Sequence, residues 1–459
     1  MRSLLANLGF ILQVAGLFIL IPIIVAFYYG EMSVLISLFI TSIVFLIFGF
    51  LLNALCERKE MDFKSSCGLI ALTFVLLGLI GSIPYLYTHS FPSPSIFSEF
   101  SSSSFESISG YTTTGLTMVE NPDVLPRSII FYRSLTQWIG GLGIVYIFLA
   151  FFYSGEALTG LGKVIGFENF GGKIKKTFIS VLLIYCLFTG IFILVFYLIS
   201  FGNLLNATSL TFSTISTGGF SPVKDLSSMF VFPNNIIWNI VMIFGATSFV
   251  VHYNFITRKF RKIFTTELIV FLFIIFFVTL LISQVSGLGL VTSFFHTTSA
   301  STTTGYYFIN LFNFENLKPI FIAIMLIGGC RFSTAGGIKI ARLILFFKSI
   351  PWVIKRTING GEEKLSFADQ TFDGKDILFH VVLAGLAVFI VFISALIFSL
   401  SGFTFIDSLF EVSSAFATTG YSVGITSLTL ASSLKWLLIS LMILGRIEIL
   451  PFLIAITKR

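Results

Sequence analysis

Ten stretches of the chain stay apolar for long enough to cross a bilayer as helices. They are residues 4–29, 34–55, 67–87, 128–153, 177–201, 236–256, 268–285, 319–347, 377–400 and 433–457. At about 1.5 Å of rise per residue, some 20 residues reach across a hydrocarbon core of about 30 Å. One stretch is irregular. Residues 328–337 read Gly-Gly-Cys-Arg-Phe-Ser-Thr-Ala-Gly-Gly, and a helix does not run smoothly through four glycines and a polar patch. Four shorter segments, 95–108, 203–215, 289–300 and 405–416, each lie between two long ones. They suit re-entrant half-helices, and each leads straight into a string rich in Ser, Thr and Gly.

Composition agrees with that pattern. The 459 residues are 56% hydrophobic and only 11% charged, with a mean hydropathy of +0.99. So few charges cannot cover a water-soluble surface, against about 25% in a soluble domain. Barrel strands would alternate over about 10 residues, so the long runs choose helices. The first stretch is too long for a signal h-region and has no small-residue cleavage site, so it reads as a span. Four scattered cysteines, Cys56, Cys67, Cys186 and Cys330, form no CxxC pair and suggest neither zinc nor a disulfide framework.

The net charge of +7 changes the picture only as topology. With the loop around Arg58, Lys59 and Lys64 taken as cytoplasmic, 21 of the 28 basic residues fall on that side, against 11 acids. The opposite side holds five basic residues and nine acids. By the positive-inside rule both termini are cytoplasmic and the four half-helices enter from the outer face.

The strings after the half-helices align with one another. They are Ser109–Gly115, Ser213–Gly219, Ser299–Gly305 and Ser414–Gly420. Each ends in Gly, with Thr two residues before it and Ser six before it. Phe105-Glu106 and Phe410-Glu411 add a shared pair ahead of the first and fourth strings. The organisation predicted is all-α: two extra spans (1–65), then span, half-helix, string and span four times over (66–153, 154–263, 264–374 and 375–459) around one ion path. Polar loops at membrane depth are tolerated where they line a path. Glycine lets carbonyls turn toward an axis, where rings of them replace a cation's hydration shell. Half-helix C-termini, each carrying about −0.5 charge, aim at the membrane centre. The candidate filter is therefore Thr113, Thr114, Gly115, Thr217, Gly218, Gly219, Thr303, Thr304, Gly305, Thr418, Thr419 and Gly420. Glu106 and Glu411 are candidate filter supports through backbone N–H groups. Ser109, Ser213, Ser299 and Ser414 are expected to bond helix carbonyls. His296 occupies the slot of the two glutamates, and His252 reads as packing.

The chain resembles the Trk/Ktr/HKT superfamily of potassium transporters, and within it the TrkH branch. The resemblance spans essentially the whole sequence. It rests on the four strings, on Gln137-Trp138-Ile139-Gly140-Gly141-Leu142-Gly143, on residues 328–339 and on Gly445-Arg446-Ile447-Glu448-Ile449. It implies potassium uptake in the cell membrane, with K⁺ as substrate and no cofactor in the chain, by a homodimer with one path per subunit. Glycine at 115, 219, 305 and 420 favours K⁺ over Na⁺ in this family. The resemblance also implies a gate at the broken third-repeat helix (Gly328, Gly329, Arg331, Gly336, Gly337), with a simple packing kink as the alternative. Arg331 and Phe332 replace residues usually small there. Arg331 either faces the path and repels a cation or pairs with an acid. Arg446 matches a family arginine and reads as a barrier or latch near that loop, or as a lipid-snorkelling side chain. Glu448, two residues on, faces another side of the helix.

The chain has no P-loop, and Gly160-Leu161-Gly162-Lys163 is too short to be one. The resemblance implies a separate cytosolic nucleotide-binding subunit of TrkA type, and nucleic acid is not an expected partner. Two transport mechanisms stand: conduction, and proton- or sodium-coupled symport. An enzyme is not expected, since no catalytic constellation is visible.

Overall fold

The computed structural model describes residues 2–56, 61, 63–93, 95–143, 174–198, 202–230, 233–309, 315–359, 365–367, 370–372 and 374–457. Arg58, Lys59 and the Gly160–Lys163 string lie outside the described residues, as do the ends of the expected spans at 144–153 and 199–201. The described chain is helical apart from one antiparallel hairpin, Leu365–Phe367 with Gln370–Phe372.

Among the described residues, six helices are long and apolar enough to cross a membrane: Arg2–Tyr28, Met32–Leu55, Lys64–Tyr87, Ile179–Phe196, Thr266–Ser286 and Ile377–Leu400. Their outward side chains are apolar, among them Ile24, Phe27, Phe273, Phe276 and Phe389. Meanwhile Ser101–Ser104, Glu106 and Thr112–Thr114 are wholly buried. Only a lipid surround accommodates an apolar exterior over a polar interior. The chain is a multi-pass membrane protein.

The first turn of the architecture is a helical hairpin. Helices α1 (Arg2–Phe18) and α2 (Leu20–Tyr28) run on from one another and pack against α3 (Met32–Leu55). Small residues let α1 and α3 approach closely: a Cβ on Gly9 would lie 2.5 Å from Gly49 O, and Ser42 donates to Gly16 O at 2.8 Å. Glu31, between the helices, reaches the first repeat. It accepts from the N–H groups of Arg127 (2.6 Å) and Ser128 (2.9 Å), the first turn of a helix there. A carboxylate at a helix N-terminus satisfies orphan donors and complements the dipole.

Four sets of an incoming, a short and an outgoing helix follow. The incoming helices are α4–α5 (Phe63–Ile80, Ile83–Tyr87), α8 (Ile174–Phe196), α12 (Thr266–Ser286) and α16 (Gly374–Leu400). The short helices are α6 (Ile96–Tyr111), α9 (Leu204–Ile215), α13 (Leu290–Ser301) and α17 (Phe405–Phe416). Three start on side-chain caps: Ser95, Asn203 and Thr404 accept N–H groups of the first turn. The outgoing helices are α7 (Arg127–Gly141), α10–α11 (Asn234–Ala246, Phe249–Ile256), α14–α15 (Lys318–Ile327, Ile340–Asn359) and α18–α19 (Ser432–Ile447, Ile449–Ile456).

One expectation is corrected here. Stretches 236–256 and 433–457 are not smooth spans like their neighbours. The chain bends by 107° between α10 and α11 and by 101° between α18 and α19. The second break turns at Glu448, whose φ is 63°. The break expected only in the third repeat therefore recurs in the second and fourth. Glycines explain the close approach just before each of those two bends. A Cβ on Gly245 would lie 2.7 Å from Ile215 O, and one on Gly445 1.8 Å from Phe416 O. Gly140 meets Tyr111 O likewise at 2.0 Å. In three repeats the outgoing helix thus lies directly on the C-terminal carbonyls of its own short helix.

Candidate functional site

The four strings have one conformation. In each, the N–H one residue before the final Gly donates to the carbonyl of the recurring Ser: Thr114 to Ser109, Gly218 to Ser213, Thr304 to Ser299 and Thr419 to Ser414, at 2.7–2.9 Å. Thr113, Thr217, Thr303 and Thr418 all have left-handed backbones, with φ between 51° and 55°. That conformation costs a non-glycine residue about 1–3 kcal/mol, and it persists where the surroundings enforce it. The final glycines are left-handed too, with φ of 79° to 89°.

These glycines close a ring. A Cβ on Gly115 would lie 2.2 Å from Gly218 O, and one on Gly219 would lie 2.0 Å from Thr304 O. One on Gly305 would lie 1.8 Å from Thr419 O, and one on Gly420 2.5 Å from Thr114 O. Each string meets the next, and the fourth returns to the first. The ring of main chain is cyclic, in the order of the sequence.

Around it, side chains hold the strings. Glu106 accepts from Met118 N (2.8 Å), Thr117 Oγ1 and Arg133 Nε (2.8 Å), all in the buried interior. Glu411 accepts from Val423 N (2.9 Å), Thr426 N (3.0 Å) and Ser422 Oγ (2.8 Å). Both carboxylates tie the chain that leaves the string, a few residues past its glycine. His296 instead packs its ring near Phe308, 4.8 Å between centroids. The serine expectation is corrected: none of the hydroxyls of Ser109, Ser213, Ser299 and Ser414 bonds a helix carbonyl. Their backbone carbonyls take part instead. Tyr306 and Tyr421 bring phenol groups beside Ser213 and Ser299.

Residues 328–337 lie against this ring. The loop is stapled at its ends, with Ile338 N donating to Leu326 O (2.8 Å), Lys339 N to Ile327 O (2.9 Å) and Ile340 N to Gly329 O (3.1 Å). Gly328 and Gly337 are left-handed, φ 68° and 77°, and back onto one another. At the tip, Gly336 N donates to Thr303 Oγ1 at 2.8 Å, and a Cβ on Gly336 would lie 2.1 Å from Ala417 O. Thr334 Oγ1 donates to Gly245 O (2.8 Å) and Ile215 O (3.1 Å). Cys330 N donates to Ala246 O, and Phe249 N to Phe332 O. The polar groups freed by the α10–α11 break are thereby met by the third-repeat loop.

The two arginines differ. Arg331 pairs with Glu267, Nε to Oε1 at 2.7 Å, which decides between the two readings of its charge. Arg446 donates to Thr334 O (2.6 Å), to Gly141 O (3.1 Å) and to Gly140 O. It is tied to protein carbonyls rather than snorkelling to a lipid surface. Glu448 pairs with Arg342, not with Arg446. The partners Glu267, Arg133, Thr334 and Arg342 do not stand out in the sequence, since each contact joins distant segments. Gln137 does so too: its Nε2 donates to Gly218 O at 2.6 Å. Its place in a recognisable string was the available signal.

The comparisons with known proteins agree with this architecture. A family model described as TrkH, cation transport protein, matches residues 36–284 and 263–459. An uncharacterized cation transporter, MJ1485 of Methanocaldococcus jannaschii, is 32% identical over 99% of this chain and 94% of its own. The Trk system potassium uptake protein TrkH of Vibrio parahaemolyticus is 28% identical over 99% and 98%. That of Salmonella typhimurium is 26% identical over 87% and 86%. The crystal structure of the potassium transporter TrkH from Vibrio parahaemolyticus shares the fold, with a TM-score of 0.87 over 100% of this chain and 98% of that one, at 24% identity. A family match over both halves, on a chain whose four strings close one ring, means that this protein belongs to the TrkH family of cation transport proteins.

Proposed function

We propose that the chain takes up potassium across the cytoplasmic membrane, with the four strings as its selectivity filter. The observation that carries this reading is the cyclic contact of each string glycine with the next string's carbonyl. A closed ring of main-chain oxygens is the arrangement that replaces a cation's water shell. Buried hydroxyls of Thr113, Thr418 and Thr419 without hydrogen-bond partners add oxygens of the same chemistry. The four short helices end at the ring, so their C-terminal dipoles favour a positive charge. The relatives named as potassium uptake proteins supply the ion's identity.

Residues 328–337, with Gly328, Gly329, Arg331, Gly336 and Gly337, act as the gate below the filter, and Arg446 latches it. Conduction is favoured over coupled symport. Among the described residues, Glu106, Glu267, Glu411 and Glu448 are each held by fixed donors rather than strung into a proton relay. Each chain has ten spans and cytoplasmic termini. The working assembly is a homodimer, and it acts with a cytosolic nucleotide-binding subunit of TrkA type.

The test is recording from the purified protein in a planar bilayer with asymmetric K⁺ and Na⁺. Currents that reverse near the K⁺ equilibrium potential support the reading. A reversal that follows a pH or Na⁺ gradient makes the protein a symporter, and equal K⁺ and Na⁺ permeability removes the selectivity claim.

A further inference from the structure

The second string departs from the other three at its middle residue, and from the first and fourth in two further respects. Its middle residue is Gly218, where the others carry Thr114, Thr304 and Thr419. Nine residues before its final glycine stands Leu210, where the first and fourth repeats have Glu106 and Glu411. Three residues after that glycine stands Pro222, which has no N–H, where Met118 and Val423 donate to those glutamates. The second string therefore has neither the carboxylate nor the donor it would hold.

Gln137 supplies the missing tie from another repeat. It is wholly buried on α7, and its carboxamide brackets the second string. Nε2 donates to Gly218 O at 2.6 Å, and Oε1 accepts from Phe220 N at 3.1 Å. The amide also occupies the volume of the absent side chain: a Cβ on Gly218 would lie 2.4 Å from Gln137 Cδ. Gly218 and Gln137 together fill the space that a threonine fills in the other three strings.

We propose that Gln137 is a positioning residue for cation selectivity, fixing the Gly218 carbonyl against the ring. The inference rests on the filter reading above. A carbonyl has two lone pairs, so the bond from Nε2 leaves one for an ion while it sets the oxygen's direction. A glycine without that bond is freer to move than the threonines at the same place in the other strings. Gly218 O is also the atom that meets Gly115, so its movement would open the contact between the first and second strings.

The test uses the full-length protein in planar bilayers under bi-ionic K⁺/Na⁺ conditions. Gln137→Leu lowers the permeability ratio about tenfold, equivalent to ~1.4 kcal/mol. Gln137→Glu keeps the shape but sets a charge against Gly218 O, and also lowers the ratio. Gly218→Thr alone collides with the Gln137 amide and abolishes selective current. Gln137→Ala with Gly218→Thr gives the second repeat the Thr-Thr-Gly string of its neighbours and recovers most of the selectivity. Such a rescue is not expected if Gln137 only stabilises the fold. A selective wild type with unchanged ratios in both single Gln137 variants, or with no rescue in the double variant, overturns the inference and leaves the filter reading standing. A wild type that does not distinguish the ions overturns both.

Discussion

Arg446 bridges Thr334 and Gly141, donating to their carbonyls at 2.6 and 3.1 Å from different guanidinium nitrogens. One side chain on α18 thus joins the third-repeat loop to the end of α7. The planar fork suits two acceptors held apart, which an ammonium serves less well. Hydrogen bonds from a charged donor contribute about 1.5–3 kcal/mol each. Arg446→Ala is expected to free the loop and raise K⁺ flux into liposomes by about tenfold, the effect of ~1.4 kcal/mol on a gating equilibrium. Arg446→Lys should fall between the two. Unchanged or lower flux in the alanine variant would count against the latch.

Arg331 stands 26 residues after Gly305, the same distance as Arg446 after Gly420. Its charge is spent differently, on Glu267. Removing one partner of a largely buried pair costs about 3–5 kcal/mol, because the other charge is left uncompensated. Glu267→Gln should lower the melting temperature in detergent by several degrees. Glu267→Gln with Arg331→Met should recover most of that loss. Melting curves showing that the double variant is as unstable as the single one would refute the pairing argument.

The ring glycines make a graded series. All four have φ near +80°, where a side chain is strained whatever space it has, and all four face a carbonyl. Alanine at Gly115, Gly219, Gly305 or Gly420 is expected to impair growth on limiting K⁺ in cells lacking other uptake systems, most severely at Gly305. The protein should still reach the membrane. Gly420, where the added Cβ would lie 2.5 Å from Thr114 O, should tolerate the change better than Gly305, where it would lie 1.8 Å from Thr419 O. Full growth of the Gly305→Ala strain would sink the ring's role.

Glu31 offers a control away from the ring. Its carboxylate caps α7 through Arg127 N and Ser128 N. Glu31→Ala should cost about 1–2 kcal/mol of stability, the range for losing a helix N-cap. The reversal potential should stay where it is. A change in selectivity in this variant would mean that the two N-terminal spans do more than brace the first repeat.

The ring was legible in the sequence because its requirements are chemical and repeated. Left-handed glycine, a threonine two residues earlier and a short apolar helix before it recur four times. The break after Ile327 was legible because four glycines mark it. The breaks after Ala246 and Ile447 carry weaker marks. Thr247 and Ser248 look like ordinary span residues, and the turn at Glu448 uses a left-handed non-glycine that no local pattern announces. The partners of Arg331, Arg446 and Gly218 were not legible because each lies far along the chain. Glu267 is 64 residues from Arg331, Thr334 is 112 from Arg446, and Gln137 is 81 from Gly218. Such contacts follow from how the repeats dock, which no local pattern encodes. The serine hydroxyls misled for the opposite reason: a local helix bond is the usual choice for Ser, but here the backbone carbonyl has the structural part.

Neighbouring strings in the ring meet glycine against carbonyl, and all four belong to one polypeptide. In a ring built from four identical subunits, any substitution arrives in four copies at once. Here it arrives in one. A single quadrant can therefore differ, as the second does with Gly218 beside Gln137, while the other three keep the spacing. Asymmetry of this kind lets one position change without redrawing the whole ring.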